Sequence, residues 1–128
     1  MKLIHCADLH LDSDMTSNLT KEKAKERRTE LLVTFQRMIT YAKENDVHHI
    51  LISGDLYDKK NISSTARNVF LTAVTDNQDI IFYYLKGNHD AESMFIGMNK
   101  IPDNLKLFGT EWTEYKITSE KDNNKIVI

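Results

Sequence analysis

Three short apolar runs, residues 2–6, 49–53 and 80–85, each stop at a cluster of polar side chains, and helical patterns separate them. The clusters are Ala7-Asp8-Leu9-His10, Gly54-Asp55-Leu56-Tyr57-Asp58 and Gly87-Asn88-His89-Asp90. Near-continuous apolar runs bounded by Asp or Gly have the pattern of buried parallel strands rather than alternating surface ones. Residues 20–45 carry Ala24, Leu31, Leu32, Phe35, Met38, Ile39 and Ala42 at three- and four-residue spacing, which predicts a long helix with one apolar face. Residues 63–77 place Ala66, Val69, Phe70, Ala73 and Val74 on a second stripe, and Ser63 or Ser64 offers an oxygen to the orphan N–H groups of its first turn. The order is β-α-β-α-β.

Crossovers of this type are right-handed and make neighbouring strands parallel, so the three clusters leave one sheet on the same edge. Ligands of open α/β sheets bind in the crevice beyond the carboxyl ends of the strands. That crevice would gather Asp8, His10, Asp55, Asp58, Asn88, His89 and Asp90. Carboxylates converging there repel one another unless a cation sits among them. Taken singly, Asp-x-His reads as a turn beside a surface histidine, and Gly-Asp-x-x-Asp as a loop opener. Their equivalent placement after three successive strands is what points to hard-metal chemistry on phosphate. Mixed oxygen and imidazole ligands suit manganese, iron or zinc better than calcium.

The three clusters resemble the sequence blocks of the calcineurin-like metallophosphoesterases: Asp-x-His, Gly-Asp-x-x-(Asp or His) and Gly-Asn-His-(Asp or Glu). Within that superfamily, residues 4–13 and 52–58 are most similar to the bacterial SbcD and YhaO-type DNA repair exonucleases. The resemblance covers about the first 90 residues in register. It implies that Asp8 and His10 hold a first divalent ion, that Asp55 bridges two ions, and that Asn88 binds the second. It implies that His89 stabilises or protonates the departing oxygen. Asp58 and Asp90 would then stand behind these ligands, fixing a ring tautomer or a bound water. Two ions roughly 3.5–4 Å apart would lower the pKa of a shared water and place it in line with phosphorus. The expected reaction is metal-dependent phosphodiester hydrolysis with manganese, on DNA ends or single strands, with an SbcC-like ATPase as partner.

The same resemblance implies further histidine ligands from later blocks, the last pair in a Gly-His-x-His segment. The five histidines here are His5, His10, His48, His49 and His89, with none beyond residue 89. Residues 92–97 read as a loop or short helix, and residues 104–108, 112–118 and 125–128 as strands, the last two joined by a polar turn. The expectation is therefore a single domain over residues 1–128, the N-terminal βαβαβ portion of a two-layer metallophosphoesterase sandwich, incomplete at its C-terminus. Such a piece should expose a sheet edge and an apolar face, inviting a homodimer.

Seventeen basic against nineteen acidic residues give a net charge of −2, so no electrostatic footprint for nucleic acid emerges at whole-chain level. Lys21, Lys23, Lys25, Arg27 and Arg28 interleave with Glu22, Glu26 and Glu30, the pattern of a solvated helix face; contact with DNA phosphates is the functional alternative. The apolar runs fall far below membrane length, and Met1-Lys2 leads straight into the first strand without a signal peptide, which points to the cytoplasm and no membrane. Cys6 reads as a small buried hydrophobe, His5 as packed beneath the site, and His48 and His49 as surface residues. Tyr57, in the loop over the site, is the candidate for base stacking, whereas Phe82, Tyr83 and Tyr84 read as core. Two rivals stay open: a phosphoesterase for phosphoproteins or small nucleotides, and an inactive scaffold that lacks the later histidines.

Overall fold

The computed structural model describes residues 1–15, 18–58, 62–87, 92–95, 98–119, 123 and 125–128. Strand β1 (Ile4–Cys6), helix α1 (Lys21–Glu44), β2 (His49–Ser53), α2 (Ser64–Thr75) and β3 (Ile81–Leu85) follow one another as expected. A 3-10 turn (Glu92–Phe95) precedes β4 (Leu105–Phe108), and β5 (Lys116–Thr118) pairs antiparallel with β6 (Lys125–Val127). Strands β1 to β4 form one all-parallel sheet in sequential order.

The helices begin where side-chain oxygens replace missing backbone partners. Thr20 accepts the amide of Lys23 at 3.3 Å, and Ser63 accepts that of Ala66 at 3.2 Å. Asp46, with φ 60°, turns the chain out of α1 in the left-handed conformation that commonly ends helices.

Because the strand order never reverses, right-handed crossovers put both helices on one face of the sheet. That face consists of two rows set by strand register. Ile4, Ile50, Phe82 and Leu105 form one row, and Cys6, Ile52, Tyr84 and Leu107 the other. Phe35, Ile39 and Ala42 of α1 and Ala66, Phe70 and Val74 of α2 join them in the core. Phe70 is fully buried, with ring centroids of Phe35, Tyr57, Phe82 and Tyr84 at 6.0–6.5 Å. Burying a side chain of that size stabilises by about 1.5–3 kcal/mol.

The opposite face is covered only in part, so β2 alternates between buried and half-buried residues instead of burying both sides. Tyr115 lies over it, 5.6 Å from Tyr83 and 5.2 Å from Phe108, and its hydroxyl donates to Leu107 O at 2.7 Å. Leu85 stays 46% exposed there.

Several expectations are corrected. Only Ile4–Cys6 of residues 2–6 is strand, where it pairs with Ile50 to Ile52 of β2. The strand expected over 112–118 is confined to Lys116–Thr118, since β6 is too short to pair further, and Trp112 is fully exposed. His5 is exposed rather than packed beneath the site, because its position in β1 faces away from the helices; its Nε2 meets Ser53 Oγ at 2.8 Å. Tyr57 is fully buried and belongs to the core beside Phe70, so it offers no stacking surface to a base.

Candidate metal centre

The segments after β1 and β2 stay bonded past the last paired strand residues. Asp8 N donates to Gly54 O at 3.2 Å, His10 N to Asp55 O at 3.1 Å and Leu11 N to Leu56 O at 2.9 Å. This lacing holds Asp8 and His10 in register with Asp55 across residues far apart in sequence. Asp8, His10 and Asp55 each offer a ligand atom, and the three atoms lie within 4.8 Å of one another. Ligand bonds of about 2.0–2.2 Å put two donors around one ion at most about 4.4 Å apart, so sub-ångström side-chain movement closes the set.

All three residues have left-handed backbone, with φ of 54° at Asp8, 43° at His10 and 49° at Asp55. Such values are uncommon outside glycine and persist only where surrounding structure enforces them, as it does at functional sites. Glycine makes the enforcement possible here. Gly54 has φ 83°, and a β-carbon on it would sit 3.2 Å from Gly87 Cα. A β-carbon on Gly87 would sit 2.3 Å from both Asp55 N and Asp55 Oδ1. Gly87 therefore leaves the space that the Asp55 carboxylate occupies, and Gly54 lets the backbone after β2 approach the backbone after β3.

Around His10 the two ring nitrogens face different neighbours. Nε2 lies 3.9 Å from Asp8 Oδ1, on the side of the ligand cluster, while Nδ1 lies 3.2 Å from Asp58 Oδ1. A carboxylate behind one nitrogen favours the tautomer that leaves the other nitrogen's lone pair free for a metal. The Asp8 side chain is 71% exposed, and among the described residues Leu9, Ser13, Met15 and Leu31 line a shallow depression together with Asp8, His10 and Asp58. Two carboxylates and one imidazole, aimed together by constrained backbone, fit a divalent cation.

Asp8, His10 and Asp55 are thus brought together, with Asp58 beside His10. Asn88, His89 and Asp90 lie outside the described residues. Cys6, half-buried one residue short of the Ala7-Asp8 loop, donates its thiol to Leu51 O at 3.6 Å. Burial pushes that thiol up to about 11, so it remains protonated near neutral pH and is no nucleophile.

Two contributors escaped sequence reasoning. Asp12 is 4% exposed, and its Oδ1 accepts the backbone N–H of Asp58 at 2.5 Å. Its position one residue after Leu11, which is buried, was the available signal. Gly87 opens the third polar cluster, and nothing in the local sequence reveals its approach to Asp55.

No helix among the described residues is long and apolar enough to cross a membrane. A metallophosphoesterase of Bacillus subtilis (strain 168), the uncharacterized YhaO, is 31% identical over 121 residues, which are 91% of this chain and 29% of that relative. The chain thus spans less than a third of that protein's length. The family model for calcineurin-like phosphoesterases matches residues 1–127, a stretch that takes in the ligand cluster together with the sheet and helices that hold it. On that match the chain belongs to the calcineurin-like phosphoesterases, a family of metal-dependent phosphoester hydrolases.

Proposed function

We propose that this chain carries the first part of a two-ion phosphodiesterase centre that acts on DNA in the manner of the SbcD-type repair nucleases. The observation that carries the reading is the convergence of Asp8, His10 and Asp55 within 4.8 Å on one edge of a parallel sheet. Asp55 has two carboxylate oxygens and sits centrally, which suits it to bridge two cations. Asn88 would supply a neutral carbonyl oxygen to the second ion, adding no negative charge where an anionic phosphate must come. Bound divalent ions lower the pKa of a water and offset the charge of the phosphate oxygens. His89 would hand a proton to the leaving oxygen, with Asp90 orienting it.

Three considerations favour a polymeric diester over a small monoester. The depression is shallow and Asp8 is largely exposed, an arrangement that admits a strand better than it encloses a nucleotide. The motif segments around Asp8 and Asp55 resemble those of SbcD and YhaO-type proteins, and YhaO itself is similar over most of this chain. Lys21, Lys23, Lys25 and Arg27 line the exposed start of α1, where cations gain nothing from the helix dipole. Manganese as the working ion, an SbcC-like ATPase as partner and the cytoplasm as location complete the reading.

The test is hydrolysis by the full-length protein with Mn2+, using linear duplex and single-stranded DNA, bis-p-nitrophenyl phosphate and p-nitrophenyl phosphate side by side. Turnover of DNA and of the diester is expected. Turnover of the monoester alone would reject the nuclease reading in favour of a small-substrate phosphatase.

A further inference from the structure

Asp12 stands apart from the ligand cluster, yet its carboxylate is more deeply buried than that of Asp8, Asp55 or Asp58. Burial of a carboxylate is costly unless its oxygens are engaged. One oxygen is: Oδ1 takes the N–H of Asp58 at 2.5 Å. The other, Oδ2, is buried with no hydrogen-bond partner among the described residues. A carboxylate buried on those terms contributes little to the stability of the core by itself.

What it holds is the segment that bears Asp58. Leu56 and Tyr57 are fully buried and anchor that segment from one side, and Asp12 pins the next backbone amide from the other. Asp12 is itself fixed, because Ser13 N donates to His10 O at 3.0 Å and Leu11 N to Leu56 O at 2.9 Å. Asp58 then presents its carboxylate 3.2 Å from His10 Nδ1, within ion-pair distance but off the line of a hydrogen bond, and the opposite ring nitrogen faces the ligand cluster. The chain of contacts runs from Asp12 through the Asp58 backbone and side chain to the orientation of the His10 ring.

We propose that Asp12 is a positioning residue for the metal centre, acting through Asp58 to set the orientation and tautomer of His10. The proposal rests on the reading of Asp8, His10 and Asp55 as a cation site. Asp12 touches neither the ion nor a substrate. Its influence is confined to how well His10 is aimed, so it should vanish when Asp58 has no carboxylate to aim with.

The experiment is calorimetric titration of the full-length protein with Mn2+ in four variants, Asp12→Ala, Asp12→Asn, Asp58→Ala and the Asp12→Ala/Asp58→Ala pair, with circular dichroism to verify folding. Loss of a partner behind a metal-binding histidine weakens metal affinity by about 10–100-fold. Asp12→Ala should fall in that range. Asp12→Asn retains an oxygen that accepts the Asp58 amide and should stay within about threefold of the parent, a rescue that mere depletion of the core does not predict. Adding Asp12→Ala to Asp58→Ala should cost less than about twofold more, since neighbours in one network are not additive. The 15N signals of the His10 ring should move toward a mixed tautomer in Asp12→Ala. Multiplying effects in the double variant, or wild-type affinity in Asp12→Ala, would overturn the role of Asp12 alone. No Mn2+ binding by the parent protein would overturn the cation site and this proposal with it. If Asp12→Ala fails to fold, the Asn variant and the His10 ring signals decide: an undisturbed tautomer in a folded Asp12→Asn supports the acceptor role, and a disturbed one contradicts it.

Discussion

Gly87 lies so close to Asp55 that a β-carbon on it would come within 2.3 Å of both the Asp55 amide nitrogen and a carboxylate oxygen. The end of β3 therefore forms the floor on which the Asp55 carboxylate rests. Gly87→Ala must push Asp55 aside, since backbone on one side and carboxylate on the other leave the methyl group no room. Mn2+ affinity should drop by about tenfold or more, and overpacking should destabilise the fold by about 1–3 kcal/mol. Calorimetry and urea unfolding measure the two effects. An alanine variant that binds Mn2+ as the parent does would show that Asp55 is free to adjust.

His89 carries the proton-transfer role in the proposed mechanism. His89→Ala should leave Mn2+ binding unchanged while slowing diester hydrolysis by about 10²–10⁴-fold, the usual range for a lost general acid. Loss of metal instead would make His89 a ligand.

Asn104 secures the end of α2 to the start of β3. Its buried amide donates to the carbonyls of Val74 at 2.8 Å, Asn77 at 3.1 Å and Ile80 at 3.0 Å, three acceptors sharing two N–H groups. Asn104→Ala leaves these carbonyls short of a donor and should cost about 1–3 kcal/mol in urea unfolding. Because the residue is remote from the ligand cluster, Mn2+ affinity of the folded variant should not change.

The adjacent histidines His48 and His49 should titrate in opposite directions. His48 meets the Asp79 carbonyl through Nδ1 at 3.0 Å and Asp46 Oδ1 through Nε2 at 2.9 Å. The Asp79 carbonyl first, and the Asp46 carboxylate second, favour the doubly protonated ring and raise its pKa above 6.5. His49 is held below 6.5, chiefly by burial and then by the charge on His48. The stabilisation from His48 is complete below its unfolded pKa and is lost as pH rises through the raised folded value. That from His49 is present above its unfolded pKa and is lost as pH falls through its lowered one. An NMR titration of the two rings checks this directly, and coincident midpoints would contradict it. Asp46→Asn should bring His48 down.

The helices were legible in the sequence because apolar spacing and a capping hydroxyl are local signals: the cap at Ser63 and the buried face of Ala66, Phe70 and Val74 follow from residues within one helix. The parallel strands were legible because apolar runs ended in polar clusters, which also brought Asp8, His10 and Asp55 to one edge. Tyr57 was misread for a physical reason. The loops after β1 and β2 remain hydrogen-bonded beyond the strands, so Leu56 and Tyr57 continue into the core where a free loop would have turned outward. His5 was misplaced because the run was read as buried on both faces, whereas the face opposite the helices is covered only in part. The Gly87–Asp55 approach and the Asp12–Asp58 bond join residues 32 and 46 positions apart, and only tertiary packing brings them together.

The most direct test of the cation site is calorimetric titration of the parent protein and Asp55→Asn with Mn2+, paired with hydrolysis of bis-p-nitrophenyl phosphate. The expected result is Mn2+ binding and diester turnover by the parent protein, with weaker binding and no turnover in Asp55→Asn, where the carboxylate charge proposed to bridge the ions is gone. Equal Mn2+ affinity and equal turnover in the two proteins would contradict the assignment of Asp55 as the ligand at the centre of the site.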